Sequence, residues 1–243
     1  MSRLKEAVMF AVTRRRRNPV LRAIAVAAAM ASCAAGCAHL PYVLSQNHDK
    51  IVAIDVALQP DVTVNGRSDV VRGPITLVRQ FVRASEVHLV SSQVAFVLAT
   101  TRLQDLNLRS AGYQSGTWNG VAGTAIVLDA TQDLRRLEER MAEALRPFRL
   151  TPEGADDFIA TPDGSEMSDA TIAAIENYIG DAGGVNYRPH ILIGPAPNDA
   201  AKTTPQSGET VAFRSVTAAI YQLGSVGSAP RVLWTWNGEV GAR

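Results

Sequence analysis

The chain has 243 residues, 47% of them hydrophobic and 19% charged, the composition of an ordinary globular protein rather than a disordered one. Its formal net charge of +1 hides an asymmetry: residues 1–36 hold seven basic residues against Glu6 alone, and the other 17 basic and 22 acidic residues give the body a net of −5. A mildly acidic body lacks the broad basic footprint of a protein that grips long nucleic acid.

Arg14 to Arg17 precede an apolar run over residues 20–31, the length of a signal-peptide hydrophobic region and too short to span a bilayer comfortably. Small residues then surround Cys33 and Cys37. The pattern resembles a bacterial lipoprotein signal, in which the cysteine after a small residue is lipidated and begins the mature chain. Ala34, Ala35 and Gly36 favour Cys37 as the anchor, with Cys33 second. An ordinary secretory peptide or an uncleaved anchor are the other readings. The expected organisation is a signal over residues 1–36, a polar tether over 37–50 and a folded body over 51–238, lipid-anchored and facing the periplasm. No cysteine follows Cys37, so with that residue as anchor the mature body has no thiol for a disulfide or a metal. His39 and His48 fall in the tether and receive no role.

In the body, residues 51–58 alternate and are rich in β-branched side chains, which predicts a first strand stopped by Pro60. Residues 61–73 read as loop. Ile75 to Val82 predicts a second strand. Residues 86–99 fit a helix only loosely, their β-branched residues arguing against it, and His88 there reads as a surface or capping residue. Strands are predicted over 106–113 and 122–128 around a turn-rich stretch ending in Asn119 and Gly120, a hairpin signal. The clearest helix runs from Thr131 to Arg146, capped by Thr131 and ended by Pro147. Leu134, Leu137, Met141, Ala144 and Leu145 form its apolar stripe, and Arg135, Glu138, Glu139 and Arg140 its solvated face. A second amphipathic helix is predicted over 168–179, with Ile172, Ile175 and Ile179 in register. Gly183 and Gly184 then break the chain before a short strand, His190 to Ile193. A polar loop over 197–210 and strands over 215–223 and 231–236 complete the order.

Two stretches share a rhythm. In one, His190 and Leu192 point away from Ile191 and Ile193; in the other, Thr76 points away from Ile75 and Leu77. A repeat of pattern in the two halves is a natural mark of duplication into two similar lobes. By position alone, a strand histidine is more often a packed or surface residue than a catalyst.

Together, Ile54-Asp-Val-Ala-Leu, Pro74-Ile-Thr-Leu, Thr161-Pro162, Asn186-Tyr-Arg-Pro-His-Ile-Leu-Ile-Gly194 and Tyr221-Gln-Leu-Gly resemble the two-histidine (2H) phosphoesterases, which include 2′-5′ RNA ligase-like proteins and cyclic phosphodiesterases. The resemblance implies an α+β fold of two lobes related by a pseudo-twofold axis, over about 51–120 and 121–238 with strands free to exchange. Each lobe is an antiparallel sheet with helices outside, and the two enclose a central cleft. It implies a His-x-Thr/Ser motif from each lobe, two imidazoles acting as acid and base and two hydroxyls holding phosphate oxygens, with no metal or other cofactor. This chain departs from the pattern twice: Pro74 stands where the first histidine belongs, and Leu192 where the second hydroxyl belongs. What remains is His190 and Thr76, flanked by Tyr187 and Arg188 as ligand contacts. Proline moves no protons and leucine leaves a phosphate oxygen against hydrocarbon. Each lost acid or base costs about 10²- to 10⁴-fold. The expectation is a pseudoenzyme that keeps a cleft for a small phosphorylated or nucleotide-like ligand. The alternatives are an active cyclic phosphodiesterase using His190, and an envelope lipoprotein that binds another protein, for which Trp118, Trp234 and Trp236 are candidate surface aromatics.

Overall fold

Ile51–Val64 (β1) is the spine of the larger sheet. It pairs antiparallel with Ile75–Arg83 (β2) on one side and Val211–Gln222 (β6) on the other, and β6 carries Arg231–Trp236 (β7), giving the order β2-β1-β6-β7. A second antiparallel sheet joins Ser110–Trp118 (β3), Val121–Leu128 (β4) and His190–Leu192 (β5) in the order β3-β4-β5. Each sheet therefore draws strands from both halves of the chain. The helices are Val87–Ala99 (α1), Gln132–Leu145 (α2) and Asp169–Asn177 (α3), and with two antiparallel sheets they make an α+β protein. This is a computed structural model, and it describes residues 44, 47, 49–64, 73–118, 121–179, 186–192, 211–224 and 230–236. The export signal, Cys33, Cys37, His39, His48, the Asn119-Gly120 turn, Gly183 and Gly184, and the loop over 197–210 lie outside the described residues.

Alternation along β1 assigns its two faces. Val52, Ile54, Val56 and Leu58 join the main core, in which buried residues of α1 and α2 also lie. Ile51 and Ala53 face the other way, into a smaller cluster with Phe81, Phe158, Met167 and Ile175 of α3, where Phe81 and Phe158 meet edge to face at 5.3 Å. Beyond that cluster the same face carries Asp55 and Ala57.

Several expectations need correction. Pro60 does not stop β1: the register shifts between Pro60 and Val62, and this bulge lets the strand pass a residue with no N–H while Val62 and Val64 stay buried. Residues 61–64 are thus strand rather than loop. Residues 87–99 are helical despite their valines, because Val87, Val90, Ser91, Val94, Ala95, Val97 and Leu98 form one buried stripe, and packing against α2 outweighs a propensity penalty of about 0.5 kcal/mol per residue. The hairpin strands run closer to the turn than expected, Trp118 pairing with Val121. The last long strand begins at Val211.

Both amphipathic helices carry hydroxyl caps, the expected one at Thr131 and a second at Ser168. Thr131 Oγ1 accepts the Leu134 N–H at 3.4 Å, and Ser168 Oγ accepts that of Thr171 at 3.3 Å. The solvated face assigned to α2 is wrong at Glu138, which is only 3% exposed. It stands four residues after Leu134 and three before Met141, so the helical period carries it into the apolar stripe. At the C-terminus of α2, the Gln80 amide donates to the Leu145 carbonyl at 3.1 Å, satisfying a helix-end acceptor. Among the described residues no helix is long and apolar enough to cross a membrane.

Candidate functional site

The site grows from a bulge in β2. Ala57 pairs with Thr76 and Val56 with Val78, so Leu77 is the extra residue; on the far side of the shift, Asp55 pairs with Arg79. A regular strand would put Thr76 and Arg79 on opposite faces. The inserted residue turns both to the face of Asp55. There the Arg79 guanidinium donates to Asp55 Oδ2 at 2.7 Å and the Thr76 hydroxyl donates to the same oxygen at 2.9 Å. The ion pair is buried, with side-chain exposures of 8% for Arg79 and 6% for Asp55.

Two tyrosines brace the bulge. Tyr187 donates its hydroxyl to the Thr76 carbonyl at 3.0 Å, and Tyr178, just past α3, donates to the next carbonyl, Leu77, at 3.2 Å. These bonds occupy two backbone acceptors where the ladder is disrupted. The Tyr178 ring also lies 5.3 Å from the Arg79 guanidinium carbon, a cation–π contact that fixes the arginine from above. Burial, reinforced by nearby Asp55, pushes the Tyr178 hydroxyl well above the ordinary phenol range; burial does the same to Tyr187. Both therefore act as neutral donors.

His190 opens β5, which runs beside the start of β2. Gly73 marks the approach: a Cβ there would lie 2.9 Å from Leu192 O and from Ile191 Cγ2, so only glycine fits. His190 and Leu192 are half-buried on one face of β5, and Ile191 is buried on the other. His190 Nδ1 lies 3.0 Å from the Arg188 carbonyl, which can only accept; in the neutral ring Nδ1 thus carries the hydrogen and Nε2 the lone pair. Burial lowers the His190 pKa below 6.5. The Arg188 carbonyl opposes that shift, and the charges of Arg79 and Asp55 pull in opposite directions.

The opposite border belongs to β6. Tyr221 pairs with Asp55 and Ala219 with Ala57. Ala57, Ala219 and Tyr221 pack together, with the Tyr221 hydroxyl accepting from the Gln59 amide. Burial raises the Tyr221 pKa, the Gln59 bond opposes this, and Asp55 adds to it.

Of the residues singled out in the sequence, the structure gathers Thr76, Tyr187 and His190 around β2 and β5. Tyr187 is a buried strut whose hydroxyl is engaged with backbone. The Arg188 side chain is exposed, and the residue's tie to the site is its carbonyl on His190. Pro74 is exposed, and Leu192 lies beside His190 in place of a hydroxyl. Thr76 differs from the expected phosphate clamp, because its hydrogen is directed to Asp55. Sequence reasoning missed Asp55, Arg79 and Tyr178. The signal for Asp55 was present, a lone acid inside an otherwise apolar strand. Trp234 and Trp236 are partly buried against the core and lie 6.1 Å apart; the Trp118 side chain lies outside the described residues.

A separate cavity of about 320 Å³ lies between the end of α1 and the outer side of α2, bordered by Thr100, Thr101, Arg102, Arg136 and Arg140. It shares no residue with the His190 site. Among the described residues no three His, Cys, Asp or Glu gather as a metal-holding group. No protein-family model matches the sequence, and no curated protein matches it either.

Proposed function

We propose that this protein is an exported lipoprotein, anchored through Cys37 and facing the periplasm, whose body is a two-lobed, 2H-phosphoesterase-like domain that binds a small phosphorylated or nucleotide-like ligand and hydrolyses it very slowly or not at all. What supports the reading is one relationship: the half-motif that kept its hydroxyl, Thr76, bonds the buried Asp55–Arg79 pair, and the strand of the half-motif that kept its imidazole, His190, packs against Gly73 just before the strand of Thr76. In this reading the two antiparallel sheets correspond to the two lobes. His190, with a hydrogen on Nδ1 and a lowered pKa, suits a base or an acceptor, and Pro74 offers no acid to complement it.

The test is calorimetry and product analysis with 2′,3′-cyclic nucleotides on wild type and His190→Ala. Binding without turnover, weakened by the substitution, is the expected result. Turnover abolished by His190→Ala would instead establish an active phosphodiesterase. A second reading, a protein-binding envelope lipoprotein, has Leu89 and Phe96 in its favour, each 45% exposed and one heptad apart on the outer side of α1. It gains if no nucleotide binds. The anchor is tested by mass: a diacylglycerol adduct lost in Cys37→Ser supports it, and an unmodified wild-type cysteine refutes it.

A further inference from the structure

Two hydrogen-bond acceptors, Asp55 and Thr76, stand side by side where β1 pairs with β2. Asp55 Oδ1 is buried and has no hydrogen-bond partner among the described residues, while Oδ2 receives both Arg79 and Thr76. The single hydrogen of the Thr76 hydroxyl is directed at Asp55, so Thr76 offers lone pairs to anything else. A buried carboxylate oxygen without a donor is unfavourable, and a ligand that supplies one removes that penalty. Arg79 and Asp55 meanwhile cancel in charge, and burial favours the neutral form of His190. A bare phosphate entering here meets a carboxylate as well as a guanidinium. Its recognition by charge alone is weak.

We propose that Asp55 selects the ligand: its free oxygen accepts a hydroxyl carried on the carbon next to a phosphate ester, so the site prefers a ring-opened phosphate monoester with a vicinal hydroxyl over a cyclic phosphate. The spacing follows from the cluster. The guanidinium available to an anion and the oxygen that needs a donor belong to one ion pair, so the two ligand groups must be neighbours. A 2′,3′-cyclic phosphate has both oxygens esterified and no hydrogen to give. The inference rests on the phosphorylated-ligand reading and narrows it.

Three probes test it on the unaltered protein by calorimetry: adenosine 3′-monophosphate, its 2′-deoxy counterpart and adenosine 2′,3′-cyclic monophosphate. A hydrogen bond to a buried carboxylate predicts that the first binds about tenfold or more tighter than the other two. Asp55→Asn, if it folds, should shrink that preference while affecting the deoxy probe less; because the ligand comparison needs no variant, a misfolded substitution does not decide the outcome. Equal affinity for all three overturns the role of Asp55 and leaves the phosphorylated-ligand reading standing. Binding of none overturns both.

Discussion

The Thr76 hydroxyl and Asp55 Oδ2 are 2.9 Å apart, and the Arg79 guanidinium reaches the same oxygen at 2.7 Å. One carboxylate on β1 thus gathers two side chains of β2 that a regular strand would send to opposite faces. The order of events runs from an inserted residue, Leu77, to a re-aimed Arg79, to a buried ion pair with Asp55.

Removing Asp55 should be costly to stability. In Asp55→Ala the buried Arg79 loses its counter-charge, which is expected to destabilise by about 3–5 kcal/mol in denaturant titration. Pairing the change with Arg79→Met should recover much of that loss, since the uncompensated charge goes with it. Additive losses in the double variant would contradict a coupled pair.

Tyr187→Phe removes one hydroxyl and leaves the Thr76 carbonyl short of a donor in a buried place. The expected cost is about 1–3 kcal/mol. Hydrogen exchange provides the check: amides of β2 near the bulge should exchange faster than those at Arg83, whereas uniform behaviour along the strand would argue against a local strut.

Stability should fall as pH drops through the histidine range. The folded-state pKa of His190 lies below its unfolded value of 6.5, so between the two the unfolded chain binds more protons, and the contribution is complete above 6.5 and lost on acidification toward the folded pKa. Thermal melts of His190→Gln across pH 5 to 8 should show a shallower dependence than wild type. An unchanged slope would mean that the ring is not buried in solution.

Gly73→Ala tests how closely the two sheets approach. Its Cβ would come within 2.9 Å of the Leu192 carbonyl, so β5 must shift away from β2, at an expected cost of about 1–3 kcal/mol. Unfolding midpoints measure this directly. A variant as stable as wild type would show that the strands stand farther apart.

Much of the fold was readable where one period dominated. Alternation around Thr76 and His190 and the stripe of α2 led to the right elements, because burial on one face leaves a repeating trace. Glu138 broke that stripe without erasing it. The valines of α1 misled because intrinsic preference is small beside burial of a whole helix face. The bulge at Leu77 was invisible: Leu77 and Val78 are both apolar, and strict alternation from Thr76 sends Arg79 to the core side. With Arg79 misplaced, Asp55 had no visible partner, and the centre of the site went unread. Tyr178 reaches Leu77 from 101 residues away, a distance over which no local pattern carries information.

The most direct measurement is an NMR titration of the protein with a 2′,3′-cyclic nucleotide, following the His190 ring and Thr76 amide signals together with the phosphorus spectrum. Both protein signals should move saturably while the phosphorus signal shows little or no conversion to monoester. Signals that stay fixed, or rapid conversion that disappears in His190→Ala, would contradict the proposed function.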